Sequence, residues 1–183
     1  MTDMFSTLCR RPARWLLAAT LTLSSSLVLA QPLVPFTASY AADMKSIPVN
    51  GEAIHSLTQN EDGSWSLSFN ASMFVARLSE QSTLTLDNEQ VVPLNYHYQR
   101  KGLGRSRETT QTFDWASGEV RGVHKKEAFT LPTQPGLLDK TTYQLALQRD
   151  LAAGKQEMHY RVVDGDRVDD YHFRVVGERR VTT

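Results

Sequence analysis

Residues 65–75 constrain the fold more than any other stretch of the chain. Trp65, Leu67, Phe69, Ala71, Met73 and Val75 alternate with Ser66, Ser68, Asn70, Ser72 and Phe74. Successive side chains of a strand point to opposite faces, so period two over eleven residues describes a half-buried antiparallel strand, one face dry and the other mostly wet. The same rhythm continues on both sides. Phe36, Ala38 and Tyr40 alternate with Thr37 and Ser39, and residues 52–59 carry Ile54 and Leu57. Leu78, Leu84 and Leu86 follow in phase, as do Leu94, Tyr96 and Tyr98, then residues 106–115 and a short strand at 119–126.

Turn chemistry separates these runs. Asn60-Glu61-Asp62-Gly63, Asp87-Asn88-Glu89 and Ala116-Ser117-Gly118 supply residues that tolerate left-handed backbone, and Gly102-Leu103-Gly104 makes a hairpin tip. Pro93 has no amide to donate, which places its strand at an edge or a bulge.

Residues 131–154 break the alternation and predict the one helix of the chain. Pro132 and Pro135-Gly136 isolate the segment, Asp139 is the expected N-cap, and Gly154 the expected stop. Tyr143, Ala146, Leu147 and Leu151 repeat at three- and four-residue spacing, with Leu145 widening the stripe and Asp150 interrupting it. Gln144, Gln148 and Arg149 are expected to face outward. One helix with one apolar stripe beside nine or ten strands predicts a mainly β fold with the helix packed on the sheet.

Beyond the helix, residues 157–163 and 168–176 form a hairpin with two competing registers. A two-residue loop at Asp164-Gly165 sets His159 against Asp170. A four-residue loop, 164–167, instead sets Val163 against Val168, Arg161 against Asp170, Glu157 against Arg174, Tyr160 against Tyr171 and Met158 against Phe173. Each good cross-strand pair contributes roughly 0.2–1 kcal/mol, so several together outweigh one favoured turn, and the second register is expected.

The first thirty residues read differently. Arg10, Arg11 and Arg14 precede the apolar residues 15–30, which end in Val-Leu-Ala. A charged region, an apolar region and a small-residue terminus describe a secretory signal peptide cut after about Ala30. The rival reading, a retained anchor, meets a run of about 16 residues containing Thr20, Thr22 and three serines, short and polar for a span. The expected location of the mature protein is the periplasm. Residues 31–183 then form a single β-rich domain of net charge −2 without cysteine, since the one Cys is Cys9. No global charge attracts nucleic acid.

The segments PFTASY at 35–40, FDW at 113–115, GLLD at 136–139 and YHFRVVGERRVTT at 171–183 resemble the bacterial domain-of-unknown-function 3108 family, over essentially residues 35–183. The resemblance implies an exported envelope protein with a strongly bent antiparallel sheet, an open or half barrel, and a helical insertion. It brings no established activity and no catalytic residues. In such proteins the segment like 180–183 continues into further strands, so the chain is expected to lack its last strands. Periplasmic lipoprotein carriers offer a looser analogy of fold alone.

No catalytic signature is present: no Gly-x-Ser-x-Gly, no His-Glu-x-x-His, no phosphate loop opening a helix. The expectation is a non-enzymatic protein needing no cofactor. Of His55, His97, His124, His159 and His172, the preferred register opposes His159 and His172, but Glu157 and Asp170 beside them have Arg partners, and solvent-facing histidines without metal are expected.

Tyrosine hydroxyls want partners, so part of the large aromatic set should line a groove. Tyr96, Tyr98, Trp115, Tyr143, Leu147 and Tyr160 are the expected contacts for an apolar or amphipathic ligand, such as an envelope lipid, held between sheet and helix. Arg100, Lys101, Arg105 and Arg107 bracket the hairpin tip and suit either a solvated loop that keeps the hairpin soluble or weak contact with anionic lipid headgroups or glycan phosphates at a membrane surface. The alternative function is a structural or interaction protein of the envelope, meeting a partner through a sheet edge or this basic hairpin.

Overall fold

The computed structural model describes residues 32–43, 50–102, 104 and 106–179. The leader, Cys9, Pro48, Leu103, Arg105 and the tail at 180–183 lie outside the described residues. Eight strands follow one another as an antiparallel meander: β1 (Phe36–Asp43), β2 (Asn50–Gln59), β3 (Trp65–Met73), β4 (Ala76–Asp87), β5 (Gln90–Gly102), β6 (Arg107–Asp114), β7 (Glu119–His124) and β8 (Glu127–Pro132). The sheet does not close into a barrel. A second sheet holds β9 (Leu137–Asp139), β10 (Glu157–Asp164) and β11 (Arg167–Arg174) in the order β11-β10-β9, with helix α1 (Thr142–Ala152) joining β9 to β10. The fold is mainly β with a single helix, as the periodicity requires.

The large sheet meets both faces of the small one where β9 and β10 pair. Leu137 and Leu138 are adjacent on one strand and therefore point to opposite faces. Leu138 packs with Leu57, Trp65, Leu67 and Leu84 of the early strands. Leu137 packs instead with Phe113 and Val120 of the later ones. Val162 and Val163 of β10 divide the same way. An open sheet can meet both faces of β9–β10 only by curving around them. Gln111 ties the two layers together, its Nε2 donating to the carbonyls of Val163 and Gly165 at 3.3 Å each.

Four expectations need correction. The helix does not occupy residues 131–154. Leu131 and Pro132 end β8, while Leu137–Asp139 pairs in parallel with residues 161–163. Two prolines bar helix before residue 136, and a partner more than twenty residues downstream recruits the Leu-Leu-Asp strand, which local periodicity cannot reveal. The strand expected at 119–126 stops at His124, because Lys125 and Lys126 adopt left-handed backbone (φ 51° and 74°) and turn the chain into β8. The strand expected at 65–75 ends at Met73, and Phe74-Val75 form the turn. Leu94 leaves the stripe of Tyr96 and Tyr98, because the register slips between Thr83 and Leu84 and Pro93 takes the place opposite Leu84. That is the bulge expected of Pro93.

The helix differs in detail as well. Leu145 is its buried anchor and Leu151 is exposed. Arg149 is not outward-facing, for it lies half-buried and pairs with Glu89 at 2.9 Å. The N-cap position belongs to Thr141, not Asp139. Asp139 nevertheless caps from two residues earlier. Its Oδ1 accepts the amides of Thr141 and Thr142, both at 2.8 Å, while its own amide donates to Thr142 Oγ1 at 2.9 Å. This reciprocal pairing satisfies amides that the first turn leaves free.

The β10–β11 register is the one expected from side-chain pairing: Val163 opposes Val168, Arg161 opposes Asp170 and Met158 opposes Phe173. Asp164 and Arg167 also join the ladder, so only Gly165-Asp166 remain as the tip.

Candidate functional site

The cleft that answers to a ligand between sheet and helix opens beside α1. It has a volume of about 690 Å³, within the range of small-molecule sites. Leu57 of β2, Val91 of β5, Leu138 of β9 and Leu145 and Ala146 of α1 form its apolar floor, and Leu33 and Phe36 close one wall. The rim is polar and largely self-paired. Arg149 reaches Glu89, Lys155 meets Asp150 at 2.6 Å, and the Tyr160 hydroxyl donates to Asp150 Oδ2 at 2.7 Å. Asp150, the interruption in the helical stripe, is therefore the acceptor that fixes Tyr160. Burial, then this carboxylate, hold the Tyr160 phenol above its ordinary pKa.

Deeper between the two sheets lies a polar seam. Tyr96 donates to Glu80 Oε1 at 2.6 Å, Ser82 donates to Asp139 Oδ1 at 2.8 Å, and Lys140 donates to Asp164 Oδ2 at 3.0 Å. Burial pushes Glu80 above the usual carboxylate range and lifts fully buried Asp139 to about 6, against the pull of its hydrogen bonds. Burial works against the Lys140 ammonium, and Asp164 overcomes it. Asp139 Oδ2 and Gln111 Oε1 find no partner among the described residues. The seam joins the layers through these hydrogen bonds.

The residues expected to contact a ligand fall in separate places. Tyr160 lines the cleft. Tyr143 stacks on Phe173 at 6.0 Å, and Tyr160 lies 6.1 Å from the same ring, so these two share a neighbour. Leu147 packs half-buried against the same core. Tyr96 belongs to the polar seam, and Tyr98 stands one row beyond it, opposite Glu80. Trp115 lies with Phe113 in the second cluster and donates to the Pro93 carbonyl at 2.8 Å. The structure thus gathers Tyr143, Leu147 and Tyr160 around the helix and leaves Tyr96, Tyr98 and Trp115 elsewhere. The aliphatic floor was missed because Leu57, Val91 and Leu145 look like any core residue in a sequence. Glu89 and Arg149 approach only through the fold.

The basic cluster also divides. Arg100 opposes Arg107 on the concave face, whereas Lys101 opposes Arg77 of β4 on the outer face. Arg105 lies outside the described residues. Among the histidines, His97 contacts Glu108 at 2.8 Å, His124 contacts Thr109 at 2.9 Å, and His55 sits edge-on between Phe36 and Phe69. Burial lowers the pKa of His55. His159 and His172 face each other with ring centres 4.2 Å apart. Among the described residues no group of three or more His, Cys, Asp or Glu is placed to hold a metal ion, and no helix is long and apolar enough to cross a membrane.

No curated protein and no solved structure matches the chain. One family model, described as a protein of unknown function (DUF3108), matches residues 36–183. The chain belongs to the DUF3108 family.

Proposed function

We propose that this DUF3108 member is an exported, periplasmic, non-enzymatic module that holds an apolar or amphipathic envelope molecule in the cleft between sheet and helix. The cleft carries the reading: about 690 Å³ with an aliphatic floor and a charged rim suits a molecule with one greasy and one polar end. The floor supplies non-directional affinity in proportion to apolar area buried. The rim, pinned by Arg149–Glu89 and Lys155–Asp150, would receive the polar end.

Native mass spectrometry of the protein taken from its own envelope tests this directly, with a lipid-sized adduct as the expected result. A fluorescent fatty acid should bind saturably at one per chain, and Ala146→Trp, which fills the cleft from the helix side, should reduce binding to background while the melt stays cooperative. No adduct together with no saturable binding would sink the proposal. The second reading, an interaction protein of the envelope, draws on the open sheet, whose terminal strands β1 and β8 each pair on one side only among the described residues.

A further inference from the structure

A second surface lies at the far end of the large sheet, independent of the cleft. The β3–β4 turn exposes three consecutive apolar side chains: Phe74 is 93% exposed, with Met73 and Val75 about half exposed beside it. Soluble surfaces seldom present a ring so completely, least of all at a turn, where polar residues suit the backbone better. The β5 end of the next hairpin touches this turn. Gly102 has a φ of 124°, and a Cβ there would lie 2.1 Å from the Val75 carbonyl oxygen, so glycine is what lets the two hairpins close up.

That contact surrounds the apolar tip with cations on both faces. Arg77 and Lys101 oppose each other on the outer face, and Arg100 and Arg107 oppose each other on the concave one. Like charges set directly across a ladder destabilise a sheet. Two such pairs flanking one tip are a cost that folding alone does not explain. None of the four has an acidic partner among the described residues. The acids closest in register are Glu80, one row from Arg100 and engaged by Tyr96, Glu108, one row from Lys101 and engaged by His97, and Glu52, in the row of Ser72, Arg77 and Lys101.

We propose that this end of the sheet docks on an anionic lipid surface, with Phe74 inserted among the acyl chains and Arg77, Arg100, Lys101 and Arg107 on the headgroups. An aromatic at the tip places an apolar body below the interface, while long cationic stems keep their charges at headgroup level. Phosphate-bearing lipids complement four unpaired cations in a way that an uncharged or apolar partner surface does not.

Vesicle flotation tests the assignment. The protein should float with vesicles containing a quarter phosphatidylglycerol, weakly or not at all with purely zwitterionic vesicles, and less as salt rises. Arg77→Glu with Lys101→Glu should weaken binding by roughly fivefold or more per cation removed, and Phe74→Ser by roughly tenfold, with both proteins melting as the parent does. A tryptophan placed by Phe74→Trp should be quenched by brominated acyl chains. Equal flotation with zwitterionic vesicles, flotation unchanged by Phe74→Ser, or binding to polyglutamate with none to vesicles would overturn the proposal, the last assigning the patch to an acidic protein.

Discussion

The two ends of the concave face are built from the same strands and fare differently. At one end, Leu57, Leu67 and Leu84 stand in rows that α1, β9 and β10 cover completely, and each is at most 1% exposed. Two or more rows along, the same face carries Tyr40, Ala53, Ala71, Leu78, Arg100 and Arg107 in one continuous register, and among the described residues none of them joins either core cluster. Tyr40 there is 53% exposed. Alternation fixes which side a residue faces, and the element laid across that side decides whether facing inward means burial. The shift from leucine to alanine and arginine along a single face marks where the cover ends.

The sharpest way to break this contrast is to put a charge under the cover. Leu145→Asp, at the buried anchor of α1, should abolish cooperative unfolding, because an unpaired carboxylate beneath the sheet costs more than a domain of this size can spare. The same change at half-buried Leu147 should lower the melting temperature and leave a folded state. A folded Leu145→Asp protein by circular dichroism would show that the helix only rests on the sheet.

Next in size is the polar seam at the covered end. Asp139 has an ordinary carboxyl value of 3.8 when unfolded and is lifted to about 6 by burial in the fold. Between those values the native state holds a proton that the unfolded chain has lost, so this group's contribution to stability is fully present below about 4 and is lost as pH rises through 6. The loss amounts to about 3 kcal/mol. Burial shifts Glu80 in the same direction. Urea titrations of wild type and Asp139→Asn at pH 5 and pH 7 should therefore show a fall with rising pH that the variant reduces. An equal pH response in both proteins would take the effect away from Asp139.

The smallest effect belongs to the uncovered end. Leu78→Ala should cost less than about 1 kcal/mol, whereas Leu67→Ala, one strand away and under the cover, should cost about 2–5 kcal/mol. Equal losses would mean that something covers Leu78 in solution.

Much of this fold is legible in the sequence alone. The β10–β11 register followed from pairing charge with charge and ring with ring, since both strands carry their own instructions. The first seven strands follow from alternation and turn residues, whereas β8 at Glu127–Pro132 does not. What escaped was whatever depends on distant partners. Leu137–Asp139 becomes a strand only because residues 161–163 lie alongside. Lys125 and Lys126 turn without glycine or asparagine, so composition gave no warning. The same divide runs through the site. Tyr160 was legible as an amphipathic ring near the helix, but the aliphatic floor and the Glu89–Arg149 rim join residues sixty positions apart. In the sequence Phe74 reads as one more member of an alternating strand, and only the turn at its position puts it on display.

The meander has a consequence for the order in which the molecule assembles. Each of its eight strands pairs only with its neighbours in the chain, so hairpins can add one after another with short loops to close. The parallel pairing of β9 with β10 must wait for the helix between them. The core that joins Leu57 and Trp65 to Met158 and Tyr160 spans about a hundred residues, a longer loop to close than any hairpin of the meander. Until that closure the curved sheet exposes its leucines to whatever apolar surface is near, and the small sheet with its helix serves as the molecule's own first occupant of that groove.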